Sequence, residues 1–185
     1  IKYSGMKSLA QSSHLANLKH LDLFGNFLGD RGVQELVRSP HIKSLETLKL
    51  WKNEVGEDGV RLLVEWPHLQ NLKILLLSDN LITPDGAMYI SQSKTLPALS
   101  VLSLYRNEIG DDGALALAKS DGFPQLTQLF VGQNGITDKG AVELIKSDQF
   151  PNLQMLDLTQ NRLGEASVKA AFKYNPEGKR QIVTR

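Results

Sequence analysis

The stretch LSVLSLYRNEIGDDGALALA, residues 99–118, carries two rhythms. Up to Asn107 its apolar residues alternate, as on a half-buried strand. Beyond Gly113 they fall at the spacing of one helix face. The tetrapeptide LYRN at the junction has relatives along the chain: LFGN, LWKN, LSDN, VGQN and LTQN. Their asparagines, Asn26, Asn53, Asn80, Asn107, Asn134 and Asn161, follow one another at a constant step of 27 residues. Gly5, Gly32, Gly59, Gly86, Gly113 and Gly140 keep the same step, and Ser167 takes the seventh place.

Each repeat therefore reads as strand, turn and helix. Leu99, Leu102 and Leu104 face inward. The expected helix caps are Gly29, Gly56, Thr83, Gly110, Thr137 and Gly164, with Pro84 at a first helical position. Asp30, Glu57, Asp111, Asp138 and Glu165 place negative charge at the positive end of the helix dipole. Triplets such as Val33/Leu36/Val37, Val60/Leu63/Val64, Ala114/Leu117/Ala118 and Ala141/Leu144/Ile145 form the buried helix face. Leu15, Ile42, Leu69, Leu96, Phe123 and Phe150 mark the return turn. One such unit cannot bury its apolar side alone, so the repeats must stack into a right-handed solenoid with parallel strands on one face. Residues 1–14 form a partial N-terminal repeat, six repeats follow, and residues 174–185 form a polar C-terminal cap or tail.

The pattern LxxLxLxxNxΦxxxG, with a full helix in each repeat, resembles the leucine-rich repeat family of the helix-bearing, ribonuclease-inhibitor-like kind. That resemblance implies an α/β horseshoe with strands on the concave face and helices on the convex face. It also implies a non-enzymatic module that binds a protein or peptide. The regular, cysteine-free repeats look more like bacterial members than animal ones. Other readings the resemblance leaves open are a recognition domain of a larger effector or sensor, and a regulator of small GTPases.

Composition narrows the alternatives. With 21 basic and 20 acidic residues, no global charge favours nucleic acid or an anionic membrane surface. No apolar run reaches the roughly 20 residues needed to span a bilayer. The absence of cysteine removes disulfides, thiolate metal sites and cysteine nucleophiles, and is consistent with a cytoplasmic or host-delivered chain. His14, His41 and His68 share the repeat spacing, but one imidazole per repeat does not converge on one ion. No nucleophile–base set and no phosphate-binding loop can be read, so no catalytic residue, metal or cofactor is expected. The six asparagines are expected to satisfy backbone groups at the turns, and the repeated glycines to let neighbouring backbones approach.

Function is expected on the outward residues of the strands. One column holds Phe24, Trp51, Ser78, Tyr105, Gly132 and Thr159; the column before it holds Asp22, Lys49, Leu76, Ser103, Phe130 and Asp157. Phe24, Trp51, Leu76, Tyr105 and Phe130, with Lys49, Lys52 and Arg106 around them, form the candidate partner site, because apolar patches rimmed by charge mark interaction surfaces. Lys52, Asp79 and Arg106 are expected to form a plus–minus–plus ladder. A rival surface on the helices comprises Leu62, Trp66, Met88, Tyr89 and Leu115. An open N-terminal strand edge would also permit self-association.

Overall fold

In the computed structural model, which describes residues 1–184, the period of the sequence becomes one short strand and one helix per repeat. The strands are β1 (His20–Asp22), β2 (Thr47–Lys49), β3 (Ile74–Leu76), β4 (Val101–Ser103), β5 (Gln128–Phe130), β6 (Met155–Asp157) and β7 (Gln181–Val183). They form one parallel sheet in sequence order. The helices α1 (Tyr3–Ala10), α2 (Gly29–Val37), α3 (Glu57–Val64), α4 (Pro84–Ser91), α5 (Gly110–Ala118), α6 (Asp138–Lys146) and α7 (Glu165–Tyr174) pack in a row beside it. The fold is an open solenoid with strands on one face and helices on the other.

From β1 to β6 the register repeats the sequence period: His20 pairs with Thr47, Thr47 with Ile74, and onward to Met155. Each inward leucine thus stacks on its equivalent, and Leu48, Leu75, Leu102, Leu129 and Leu156 are fully buried. The return-turn residues Ile42, Leu69, Leu96, Phe123 and Phe150 complete that core, and Leu15 is half-buried. Helix triplets close it from the other side. Stacking buries side chains that no single repeat could cover.

The tail carries more than a polar cap. Although residues 174–185 lack a leucine motif, Gln181–Val183 pair with Met155–Asp157 as β7, one residue short of the regular step. Arg180 fixes this segment by donating to the carbonyls of Ser147 and Phe150, each at 3.1 Å. Arg185, the last residue of the expected cap, lies outside the described residues.

The expected helix caps fall into three kinds. Thr83 and Thr137 cap through their hydroxyls, which accept from the Gly86 and Lys139 N–H groups. Gly56 and Gly164 are extended glycine N-caps. Gly29 and Gly110, expected as caps, are instead the first residues of α2 and α5 at left-handed φ of 56° and 57°, and the N-caps there are Leu28 and Ile109. The first-turn acids do more than complement a dipole. Asp30 accepts the Gly56 N–H of the next repeat at 2.7 Å. Asp111 accepts from the Thr137 N–H at 2.8 Å and hydroxyl at 2.7 Å, and from the Gly140 N–H at 3.0 Å. Burial opposes the Asp111 charge, yet these donors hold its carboxyl below the ordinary range. The Ser167 hydroxyl and the Gly164 N–H do the same for Asp138. The recurring glycine is what admits the acid: a Cβ on Gly140 would lie 2.9 Å from Ala114 Cβ and 2.7 Å from the Asp111 carboxylate.

The inward asparagines form a ladder along the turns. Asn107 donates its amide to the carbonyls of Leu77 and Leu104, each at 3.0 Å, while its oxygen accepts the Ile82 N–H at 3.0 Å. Asn53, Asn80 and Asn134 repeat this arrangement in full burial. Each rung satisfies backbone groups in its own repeat and in the preceding one.

Candidate functional site

The strand face presents the expected columns in register. Phe24 and Trp51 lie on neighbouring strands with ring centroids 4.7 Å apart and a 43° tilt. They remain 50% and 40% exposed. Two large aromatic rings held together yet half open to water form the clearest apolar feature of this face. Beside them the Lys49 ammonium reaches the Asp22 carboxylate at 3.2 Å, across the β1–β2 pair. Leu76 continues the column next to Lys49 and is half-buried.

The patch is interrupted after Trp51. Ser78 occupies the next strand, buried and hydrogen-bonded to the Ser103 hydroxyl at 2.7 Å. Tyr105 reaches away from Trp51. Its ring lies over Gly132, where an added Cβ would come within 2.9 Å of Tyr105 Cδ2, and its hydroxyl donates to Gln160 Oε1 at 2.8 Å. The glycine in the fifth repeat thus makes room for the tyrosine of the fourth. Phe130, half-buried, continues the Leu76–Ser103 column on β5. The aromatics accordingly divide into a Phe24–Trp51 pair and a separate Tyr105–Phe130 region.

Lys52, Asp79 and Arg106 share a column, but only part of the expected ladder forms. Arg106 pairs with Asp79 at 3.5 Å, whereas Lys52 makes no ion pair among the described residues. All three residues sit on left-handed turns, with φ of 57°, 52° and 57° for Lys52, Asp79 and Arg106. Gly25, Gln133 and Gln160 share this conformation, so the whole column bends away from the strand direction. A regular ion-pair ladder does form at the other end of the strands. Glu46 bridges Lys19 at 2.8 Å and Lys73 at 2.7 Å.

Two exposed apolar residues extend the face toward the helix side of the turn. Phe27 and Leu81 follow their ladder asparagines and are 57% and 56% exposed. Phe27 adopts a φ of 52°, uncommon for a bulky residue. The repeat alignment puts Glu54, Glu108, Gly135 and Arg162 at the same position, a variation that marks it as outward-facing.

The helix side is less continuous. Trp66 is only 4% exposed and belongs to the core. Tyr89 packs partly against that core, Leu62 and Leu115 are half-buried, and Met88 alone of the five is exposed. His68 meets the Trp66 ring edge-on at 6.1 Å. Among the described residues, no group of three histidine or carboxylate side chains could hold a metal ion, and no helix is long and apolar enough to cross a membrane.

The Leucine Rich repeat family model matches residues 14–37, 68–91, 96–118 and 125–144. Among solved structures, the chain is similar to the crystal structure of a pollen receptor kinase 3, with 20% sequence identity and a TM-score of 0.53. That likeness covers 90% of this chain and 72% of the other, and it is a likeness of fold. No curated protein is similar in sequence at a significant level. In its 27-residue period and its parallel stack of strands, the chain has the fold of a leucine-rich repeat solenoid.

Proposed function

We propose that this chain recognises a protein or peptide partner on the strand face of the solenoid, with Phe24 and Trp51 as its anchor. Leucine-rich repeat domains generally mediate protein–protein interaction, and the observation that carries the site is the half-exposed aromatic pair at 4.7 Å. Pairing across the sheet fixes both rings, so little rotamer freedom is lost when a partner covers them. Lys49 and Asp22 orient polar groups at one side, and Lys52, without an ion pair among the described residues, offers a charge at the turn. Leu76 continues the apolar floor. Tyr105, Phe130 and Arg106 form a second contact region two repeats further on, suited to an extended partner lying across the strands.

The test compares wild type with Trp51→Ala and Trp51→Ala/Tyr105→Ala in affinity capture, followed by Kd measurement on a captured protein. Trp51 is exposed and Tyr105 partly so, and circular dichroism checks that each variant is folded before affinities are compared. Loss of Trp51 should weaken binding by about 2 kcal/mol, roughly 30-fold. Equal affinity of wild type and both variants would make the rings packing elements only and move the site off this face.

A further inference from the structure

We propose that Asn134–Gly135 is a latent deamidation site, silent while the asparagine ladder is closed and reactive when repeats five and six open. The six ladder asparagines occupy equivalent positions but are followed by Phe27, Glu54, Leu81, Glu108, Gly135 and Arg162. Only Gly135 lacks a side chain to hinder its own backbone nitrogen. In the reaction, the Gly135 amide nitrogen attacks Asn134 Cγ. The N–Cγ bond forms, the Cγ–Nδ2 bond breaks, and the amide proton departs with that nitrogen as ammonia. Water then opens the cyclic imide at either carbonyl and leaves aspartate or isoaspartate.

The fold blocks this step at the leaving group. Asn134 is 2% exposed, and its Nδ2 donates to the carbonyls of Leu104 at 2.8 Å, Val131 at 3.1 Å and Gly132 at 2.9 Å. These bonds engage the leaving nitrogen and, with the side-chain oxygen accepting the Ile109 N–H at 3.3 Å, fix the amide in its rung. Reaction must therefore wait for local opening. It is also irreversible in effect: an acid at position 134 sets a carboxylate against three carbonyl oxygens and donates nothing to them. An opening event would be recorded as a broken rung.

The experiment incubates the full chain in mildly alkaline buffer, folded and unfolded in guanidinium chloride, and maps peptides by mass spectrometry. Conversion at residue 134 should be more than about tenfold slower in the folded chain. In the unfolded chain it should lead the other five ladder positions. Gly135→Glu provides the control, because Glu54 occupies the equivalent place with a φ of 59° against 71° at Gly135. That variant should remain unconverted when unfolded and should refold fully, whereas wild type should lose refoldable protein in step with conversion. Equal folded and unfolded rates, conversion led by another asparagine, or full refolding of converted chains would each overturn the proposal.

Discussion

Asn80 holds Asn53 in place: the Asn80 side-chain oxygen accepts the Asn53 backbone N–H at 3.0 Å, and its Nδ2 donates back to Leu50 at 3.0 Å. The same oxygen takes the Val55 N–H at 3.0 Å, and the amide also reaches Leu77 and Ser78. Asn80→Ala would orphan several buried groups at once, in two repeats. Each costs about 1–3 kcal/mol when unsatisfied, so a loss of at least about 3 kcal/mol is expected. Guanidinium unfolding followed by circular dichroism measures it. A loss below 1 kcal/mol would mean that water replaces the rung readily.

Gly132 is required by a neighbour, not by its own backbone. A Cβ there would approach Tyr105 Cδ2, Thr159 O and Thr159 Oγ1, each at 2.9 Å. Gly132→Ala should cost about 1–3 kcal/mol, as overpacking does. Tyr105→Ala should relieve part of that cost, leaving the Thr159 backbone clash. A double-mutant cycle in thermal unfolding reads the coupling; strict additivity would show that the ring does not rest on the glycine.

The fold was legible because a fixed period forces every inward residue onto its equivalent, and the register from β1 to β6 follows directly. β7 was hidden, since Gln181–Val183 carries no leucine and steps one residue short. The acids at the helix starts could be placed by dipole arguments, but their bonds to the next repeat depend on how close the glycines bring the helices. In the candidate site, strand spacing suffices to pair Phe24 with Trp51. It does not reveal that Tyr105 turns toward Gln160, because that choice rests on the gap at Gly132. Nor does composition expose the left-handed column, which holds Lys, Asp, Arg and Gln where the conformation ordinarily favours glycine or asparagine.

Glu46 makes the surface charge ladder sensitive to acid. Hydrogen bonds from Lys19 and then Lys73, with their attraction, lower its carboxyl from 4.5 to about 2. Because the folded value is depressed, the stabilising contribution is complete above pH 4.5 and is lost as pH falls toward 2. Glu46→Gln should remove this part of the acid dependence, and added salt should shrink the wild-type effect because the ladder faces solvent. Thermal midpoints across that pH window test the sign. A variant with the same acid slope as wild type would assign the sensitivity to the other depressed carboxyls, Asp111, Asp121 and Asp138, instead.

Trp66 interrupts a second ladder, and its effect on stability can be separated from that of Trp51. Ser39, Ser93, Ser120 and Ser147 donate their hydroxyls to Ala10, Val64, Ser91 and Ala118 of the preceding repeats, at 2.6, 3.2, 2.6 and 2.6 Å. Trp66 stands at the equivalent place and fills it with a ring whose Nε1 is buried without a partner among the described residues. Removing that orphan while keeping an aromatic should offset the lost area, so Trp66→Phe should change stability by no more than about 1 kcal/mol. Trp66→Ser restores the ladder's residue type but empties the ring's volume, and a cost of about 3 kcal/mol is expected. The chain has two tryptophans, so fluorescence distinguishes them: iodide should quench exposed Trp51 and spare Trp66. If Trp66→Ser proves as stable as wild type, the hydroxyl ladder outweighs the packing of the ring, and repeat two has no need of its tryptophan for folding.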